Sequence, residues 1–345
     1  MRTIHASRLA PALLAVPIAA ALGGCTESTQ RPAIGSYSDV AAVTGGDDWV
    51  LDSLQSALES RIRPLSQDES PFHVRRLPES RLADSEDARN LLLATLLDAS
   101  GPVAKQVRRI MPGEDQARIR SRGAGWFLYP DVYARGQVVV VLAAVRRGAL
   151  DSLLAIVGAD LRDALERSAI ERTTRDLRRA SAASPEAEHF AARYGFEILV
   201  PSTYRVAAPS KGWLDAVELV RDSPSRIVSV FWTDPVDSLQ ATDEKFVLGL
   251  QRDVMRRLHG DTLVEDRNVF ERSSLGPYTA LQLTGVWQNT SQVAGGPFVT
   301  HFVYDGRRRR LYGVQGLLFA PGRDKHPWMR ELRALAATFR LGEST

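Results

Sequence analysis

At 345 residues the chain is too long for one typical domain and suits two, and its 44% hydrophobic and 25% charged content excludes both a disordered chain and a polytopic membrane protein. Basic residues exceed acidic ones only by 44 to 41, so the pI of about 9.1 reflects 40 arginines against 4 lysines. A net charge of +3 leaves no electrostatic footprint for nucleic acid.

Residues 1–24 read as a secretory signal, with Arg2 and Arg8 as its positive start and Leu9 to Leu22 as an apolar run too short for a membrane span. The run ends in Leu22-Gly23-Gly24-Cys25, which resembles the bacterial lipobox, where a cysteine is acylated on sulfur, freed by cleavage and acylated again on nitrogen. Cys25 is the only cysteine, so an exported chain forms no internal disulfide, and a free thiol at the mature start makes sense as a lipid acceptor. The plain alternative is an ordinary signal peptide with Cys25 a chance thiol. One acyl chain binds a membrane only marginally, whereas a triacylated cysteine anchors stably. Thr26 stands where an inner-membrane retention signal would have Asp, so by resemblance to diderm sorting rules the expected location is the outer membrane, facing the periplasm or the cell surface. Removing residues 1–24 leaves 321 residues with 42 basic and 41 acidic side chains.

Residues 25–38 suit a lipidated tether, polar and without an apolar period. Val40 to Val43 is a strand, and Asp47 and Asp48 precede a helix whose Trp49, Leu51, Leu54, Leu58 and Ile62 recur at helical spacing. Phe72 to Leu77 and Leu91 to Leu97 are strands, Ser100 to Gly125 is expected as a long loop with at most a helical turn, and Gln137 to Val145 is a strand buried on both faces. Leu150, Leu153, Leu154, Val157, Leu161 and Leu165 mark a long amphipathic helix. A second helix is bounded by Ser184-Pro185 and Gly195. Beyond it the pattern turns to strands: Phe196 to Val200, Ala216 to Val220 and Ile227 to Trp232, a helix from Thr242 to Leu258, then Leu263 to Glu271, Tyr278 to Trp287, Phe298 to Tyr304 and Arg310 to Phe319, with a last helix at His326 to Phe339. Asp305-Gly306 is a two-residue hairpin signal. The expected fold class is α+β: two α/β sandwich domains, at 39–183 and 184–345, the second an antiparallel sheet packed by two helices.

Asp131-Val-Tyr-Ala-Arg-Gly-Gln137, Gly285-Val-Trp287, Gly295-Gly-Pro-Phe298, Gly316, Ala320-Pro321 and the helix that follows resemble a family of bacterial envelope lipoproteins catalogued as domain of unknown function 4837. The resemblance spans nearly the whole mature chain and departs from the family at Ala294, where methionine is usual. It implies location and architecture and carries over no catalytic residue. The element order of the second domain also looks like the α-β-α sandwich of the photosystem oxygen-evolving subunit P family, a binding scaffold.

No Gly-x-x-x-x-Gly-Lys loop, Gly-x-Gly-x-x-Gly turn, Gly-x-Ser-x-Gly elbow or Ser-x-x-Lys pair occurs. The six histidines, His5, His73, His189, His259, His301 and His326, are too scattered for a local zinc motif, so no metal and no cofactor is expected. His301 with Asp234 or Asp305 is the best candidate for a general base, against its plainer reading as a residue on a strand's polar face. Asp47 and Asp48 read as helix caps sooner than as paired acids. Trp213, Trp232 and Trp287 read as core sooner than as a groove, although Trp287, Gly295, Gly296 and Phe298 form a candidate ligand groove. Lys105 to Arg122 is rich in Lys and Arg, and Arg307, Arg308, Arg309 and Arg310 form a candidate anion site, with Arg307 to Arg309 as a cationic tip and the strand starting at Arg310. The expectation is a lipid-anchored envelope protein that binds or assembles without catalysis, with the membrane, envelope proteins or anionic headgroups as partners and no nucleic acid. The alternative is an envelope hydrolase acting on glycan or lipid, with a site between the domains.

Overall fold

The computed structural model describes residues 30–45, 48–60, 69–181, 185–207 and 215–342; Cys25, the signal segment, Asp47, Ser184 and Trp213 lie outside them. The architecture is α+β, with one mixed and one large antiparallel sheet, each covered by helices on both faces, and a further two-stranded ribbon.

In the N-terminal half, β1 (Asp39–Thr44), β2 (His73–Leu77), β3 (Asn90–Leu96), β4 (Ala124–Pro130) and β5 (Val138–Ala144) make a five-stranded sheet of order β2-β1-β3-β5-β4 in which only β4 runs antiparallel. Val138 to Ala144 is buried at every position, the continuous apolar run of a strand covered on both sides. Alternation sends Val40, Ala42, Leu92, Val140 and Leu142 toward α1 (Asp48–Leu58) and α4 (Arg147–Ala180). Ala41, Val43, Leu91, Val139 and Val141 face α2 (Pro102–Ile110) and α3 (Gly113–Arg122).

The loop expected over Ser100 to Gly125 is instead α2 and α3, followed by β4. Pro102 stands in the first helical turn, Val103, Ala104 and Val107 give the buried stripe, Glu114 and Asp115 favour the start of α3, and Gly123 ends it at φ +91°. Arginines on the outer faces of these short helices mask the apolar stripe, and β4 is only partly buried along its length, so it lacks the continuous apolar run of β5.

In the C-terminal half, α5 (Pro185–Tyr194) ends at Gly195 with φ +77°. The strand expected at Phe196 to Val200 shrinks to β6 (Phe196–Glu197). The eight-stranded antiparallel sheet holds β7 (Arg205–Ala207), β8 (Asp215–Arg221), β9 (Ser225–Thr233), β10 (Thr262–Leu263), β11 (Val269–Leu275), β12 (Tyr278–Asn289), β13 (Ala294–Asp305) and β14 (Arg310–Phe319), in the order β10-β12-β13-β14-β9-β8-β7 with β11 also on β12. The strand expected from Leu263 to Glu271 is thus split, by a 3₁₀ turn at Glu265–Arg267 whose Glu265 is held by Arg252 at 2.6 Å. A helix α6 (Glu244–Val254), continued by a π-turn Met255–His259 to Gly260, covers one face, and α7 (His326–Ala336) covers the other. The last strand, β15 (Arg340–Leu341), pairs with β6. No helix among the described residues is long and apolar enough to cross a membrane.

The halves meet along α4 and α7. Glu166 of α4 accepts from Arg330 Nε at 3.2 Å and from its terminal nitrogen at 2.7 Å, while Arg330 also donates to Ser38 Oγ at 3.1 Å and to Pro71 O at 3.3 Å. His326 Nε2 lies 3.4 Å from Glu166, and Lys325 Nζ lies 3.4 Å from Glu69. Burial alone would raise the Glu166 carboxyl, but the His326 contact and the charge and hydrogen bonds of Arg330 hold it well below the usual carboxylate range. Burial pushes the His326 imidazole down and outweighs the pull of Glu166.

Candidate binding site

The β13–β14 hairpin carries the four arginines. Asp305 pairs with Arg310, so the connection is the four residues Gly306 to Arg309 and not the two-residue turn that Asp305-Gly306 suggests. The Asp305 carboxylate explains the longer loop: it accepts from Arg307 N at 3.0 Å and from the Arg308 guanidinium at 2.7 Å, closing the turn with a side chain. Arg309 completes it at φ +51°, its carbonyl accepting from Val236 N at 2.7 Å. Burial would raise the Asp305 carboxyl, yet Arg308 and the two backbone amides keep it below its ordinary value. The strand starts at Arg310, and Arg307 and Arg309 are exposed.

Arg308 and Arg310 turn back onto the protein. Arg308 donates to Gly342 O at 3.2 Å, and Arg310 binds Asp234 at 2.5 Å and donates to Tyr194 O at 3.2 Å. Tyr312 adds hydrogen bonds from its hydroxyl to the carbonyls of Tyr194 and Gly195, both at 3.2 Å. The last carbonyls of α5, which have no partner within their own helix, are thereby satisfied by one cation and one phenol from β14.

Between the end of α5 and this hairpin lies a cavity of about 620 Å³, lined by Arg193, Tyr194, Glu197, Arg308, Arg310 and Leu341 among others. Arg193 is exposed at its margin, 5.3 Å over the Tyr194 ring. The site offers a concave wall with planar donors, an aromatic face and an aliphatic patch. Its buried-side guanidinium groups are already matched by Asp305 and Asp234, so an incoming carboxylate or phosphate would share them with resident carboxylates.

Trp287, Gly295, Gly296 and Phe298 come together as packing. Trp287 is 7% and Phe298 1% exposed, and the Trp287 indole donates to Leu318 O at 3.2 Å. A Cβ on Gly296 would stand 2.0 Å from that same carbonyl, so the glycine lets β13 and β14 close over the indole. Trp232 is likewise core.

His301 does not lie on a polar face. It points between the sheet and α7, 5% exposed, because the sheet is covered on both sides and has no polar face there. Burial, with Arg333 adding to it, pushes its imidazole down to about 3, and its Nδ1 has no hydrogen-bond partner among the described residues. Asp234 and Asp305 are engaged by Arg310 and Arg308, so neither of them orients this ring. Among the described residues no three His, Cys, Asp or Glu side chains stand together as metal ligands. The seam of Glu166, His326, Arg330, Lys325 and Glu69, in which Glu69 and His326 lie 257 positions apart, gives no local motif and was invisible to spacing arguments.

Residues 183–338 match the family model described as Domain of unknown function (DUF4837), and residues 33–178 match Domain of unknown function (DUF8532). The resemblance drawn over nearly the whole mature chain is therefore divided: Asp131 to Gln137 belongs to the second match, and the segments from Gly285 onward to the first. The likeness to the photosystem oxygen-evolving subunit P family finds no support. No curated protein matches the chain. Among solved structures it is similar to the crystal structure of LpqN, involved in cell envelope biogenesis of Mycobacterium tuberculosis, at 15% identity over 43% of this chain and 83% of that one, with a TM-score of 0.29, too slight a likeness to carry an argument. Two successive segments, 33–178 and 183–338, thus each match a domain of unknown function, and neither match spans half of the chain.

Proposed function

We propose that this chain is a lipid-anchored protein of the cell envelope, held at the outer membrane through Cys25, that binds or assembles with a partner and performs no catalysis of its own. The anchoring rests on the lipobox-like Leu22-Gly23-Gly24-Cys25 and on Cys25 being the sole cysteine. The observation that carries the binding reading is the cavity beside α5: the guanidinium groups of Arg308 and Arg310 on its wall are spent on Asp305, Asp234 and backbone carbonyls, while Arg193 and Glu197 stand exposed along it. Such a wall recognises shape and polar groups. Among the described residues Glu197 is the one carboxylate in its lining, and no His, Cys, Ser or Asp stands there with it to form a reacting pair. His301 supports the same reading, since a sealed, neutral imidazole cannot exchange protons with a substrate in solvent.

The test uses the full lipoprotein in its own envelope, with a photoreactive residue at Arg193 on the cavity margin and another at Ile156, 76% exposed on α4. Crosslinked species formed from Arg193 and absent from Ile156 support a docking cavity. Identical patterns from both positions refute it, as does a hydrolase activity that follows the purified chain and disappears with His301→Gln.

A further inference from the structure

The amino-terminal ends of β2, β1, β3 and β5 lie along one edge of the N-terminal sheet, because all four run parallel. The chain enters the fold across that edge and is stitched to it by backbone. Arg135 N donates to Arg31 O and Ala33 N to Arg135 O, both at 2.9 Å; Ile34 N donates to Asp87 O and Arg89 N to Ile34 O, both at 2.8 Å. The Arg89 guanidinium tightens the strap from the side, Nε to Gly35 O at 2.7 Å and a terminal nitrogen to Ala33 O at 3.1 Å.

Arg31 stands six positions after Cys25. A fully extended chain covers about 3.3–3.6 Å per residue, so the first stitched residue can lie no more than roughly 20 Å from the anchored cysteine. Ile34 is 65% exposed, and around it Arg31, Arg75 and Arg135 are exposed and have no ion-pair partner among the described residues. A cavity of about 330 Å³ opens beside Ile34, lined by Val40, Ala41, Val74, Arg75 and Arg89 among others. Two carboxylates share its wall: Asp39, which accepts from Ser36 N at 3.0 Å, and Asp87; His73 sits at the same strand end, 3.8 Å from Asp324. An apolar side chain standing proud of unpaired cations is the composition that partitions into a headgroup layer.

Resting on the reading of Cys25 as the lipid-bearing residue, we infer that this strand edge is the membrane-contacting face and that the cavity beside Ile34 receives the phosphate of an anionic phospholipid headgroup. Arg75 is the cation that meets it, Arg89 is a positioning residue that holds the strap, and Ile34 reaches toward the acyl boundary. The cavity is at the small end of ligand sites, matched to a headgroup and not to a whole lipid. Arginine suits the task because its planar fork meets two phosphate oxygens at once.

The experiment takes the full chain purified from membranes and reconstituted in phosphatidylethanolamine vesicles with or without phosphatidylglycerol. Cys25 being the sole cysteine, Ile34→Cys and Ile156→Cys each create one unique labelling site. Arg172 touches the edge through Arg89 O at 3.0 Å, and Ile156 lies sixteen residues, about 24 Å, back along the same helix, which makes it the distant control. A fluorophore at position 34 should be quenched by headgroup nitroxides at least fivefold more than one at 156. The phosphatidylglycerol-dependent part should fall about fivefold with Arg75→Gln, the weight of one basic residue at an anionic surface, and return only in part with Arg75→Lys, which restores the charge without the fork. Equal quenching at 34 and 156 in a chain whose mass shows acylated Cys25 overturns this inference and leaves the anchor standing. An unmodified Cys25 overturns both. Quenching that is indifferent to phosphatidylglycerol and to Arg75→Gln overturns the headgroup site.

Discussion

Arg330 gives the sharpest test of how the two halves are held together. Its guanidinium is 1% exposed and supplies hydrogen bonds to Glu166, Ser38 Oγ and Pro71 O while lying 5.4 Å over the Phe72 ring. Arg330→Ala leaves the Glu166 carboxylate facing an empty, largely dry site. Breaking a buried pair from one side costs about 3–5 kcal/mol, and because 18% of the Glu166 side chain remains exposed, screening by water brings the expected loss to the lower end, about 3 kcal/mol. Removing both partners, Glu166→Leu with Arg330→Ala, should cost less than the sum of the two single changes, leaving a coupling of about 2 kcal/mol. Urea unfolding of the full chain at pH 7 measures all three. Acid should act in the same direction as Arg330→Ala: a carboxyl held below its ordinary value contributes stability above about pH 4 that is lost as pH falls, and a histidine held below 6.5 adds a penalty once pH drops beneath that value. A loss under 1 kcal/mol for Arg330→Ala, or strict additivity in the double variant, would refute this account of the seam.

Three further outcomes follow from the geometry. His301 is favoured as neutral in the fold, so its contribution is intact above pH 6.5 and disappears as pH falls toward about 3; His301→Leu should flatten that acid limb by up to about 5 kcal/mol, and an unchanged pH profile would show the ring to be accessible. Gly296→Ala forces a methyl to within 2.0 Å of Leu318 O and should prevent accumulation of folded protein, whereas Gly249→Ala, in α6 with nothing within 4 Å, should raise stability by about 0.5–1 kcal/mol in the same thermal melts. Cys25→Ser should abolish both acylation and cleavage, so that the amino-terminal peptide keeps residues 1–24 and carries no acyl mass; a normally cleaved variant would contradict the anchor.

Strand periodicity is strong where a strand is buried on both faces, as in Val138 to Ala144, or long and bounded, as in Arg310 to Phe319, and those elements were legible. The α2–α3 pair was not, because each helix commits only two or three side chains to the core and gives the rest to charge. Four consecutive arginines announced a charged tip, and Arg307 and Arg309 do face solvent, but the partners of Arg308 and Arg310 lie across the fold at Gly342, Tyr194 and Asp234. The strand edge beneath Ile34 combines segments near residues 34, 75, 89 and 135, and no window of sequence contains them together.

The length of α4 has a mechanical meaning. Its 34 residues extend about 51 Å. The first half lays Leu150, Leu154, Val157, Leu161 and Leu165 on the N-terminal sheet, while Thr174 near its far end donates to Ala334 O of α7 at 3.2 Å and Leu177 packs against the other core. The chain passes from one half to the other after this rod has already reached across, so the linking peptide is not where the two bodies are joined. A cut between residues 181 and 185 would yield two fragments that sediment and elute as a single particle. Any motion imposed on one half would be transmitted to the other as a rigid rotation, with α4 as the spar.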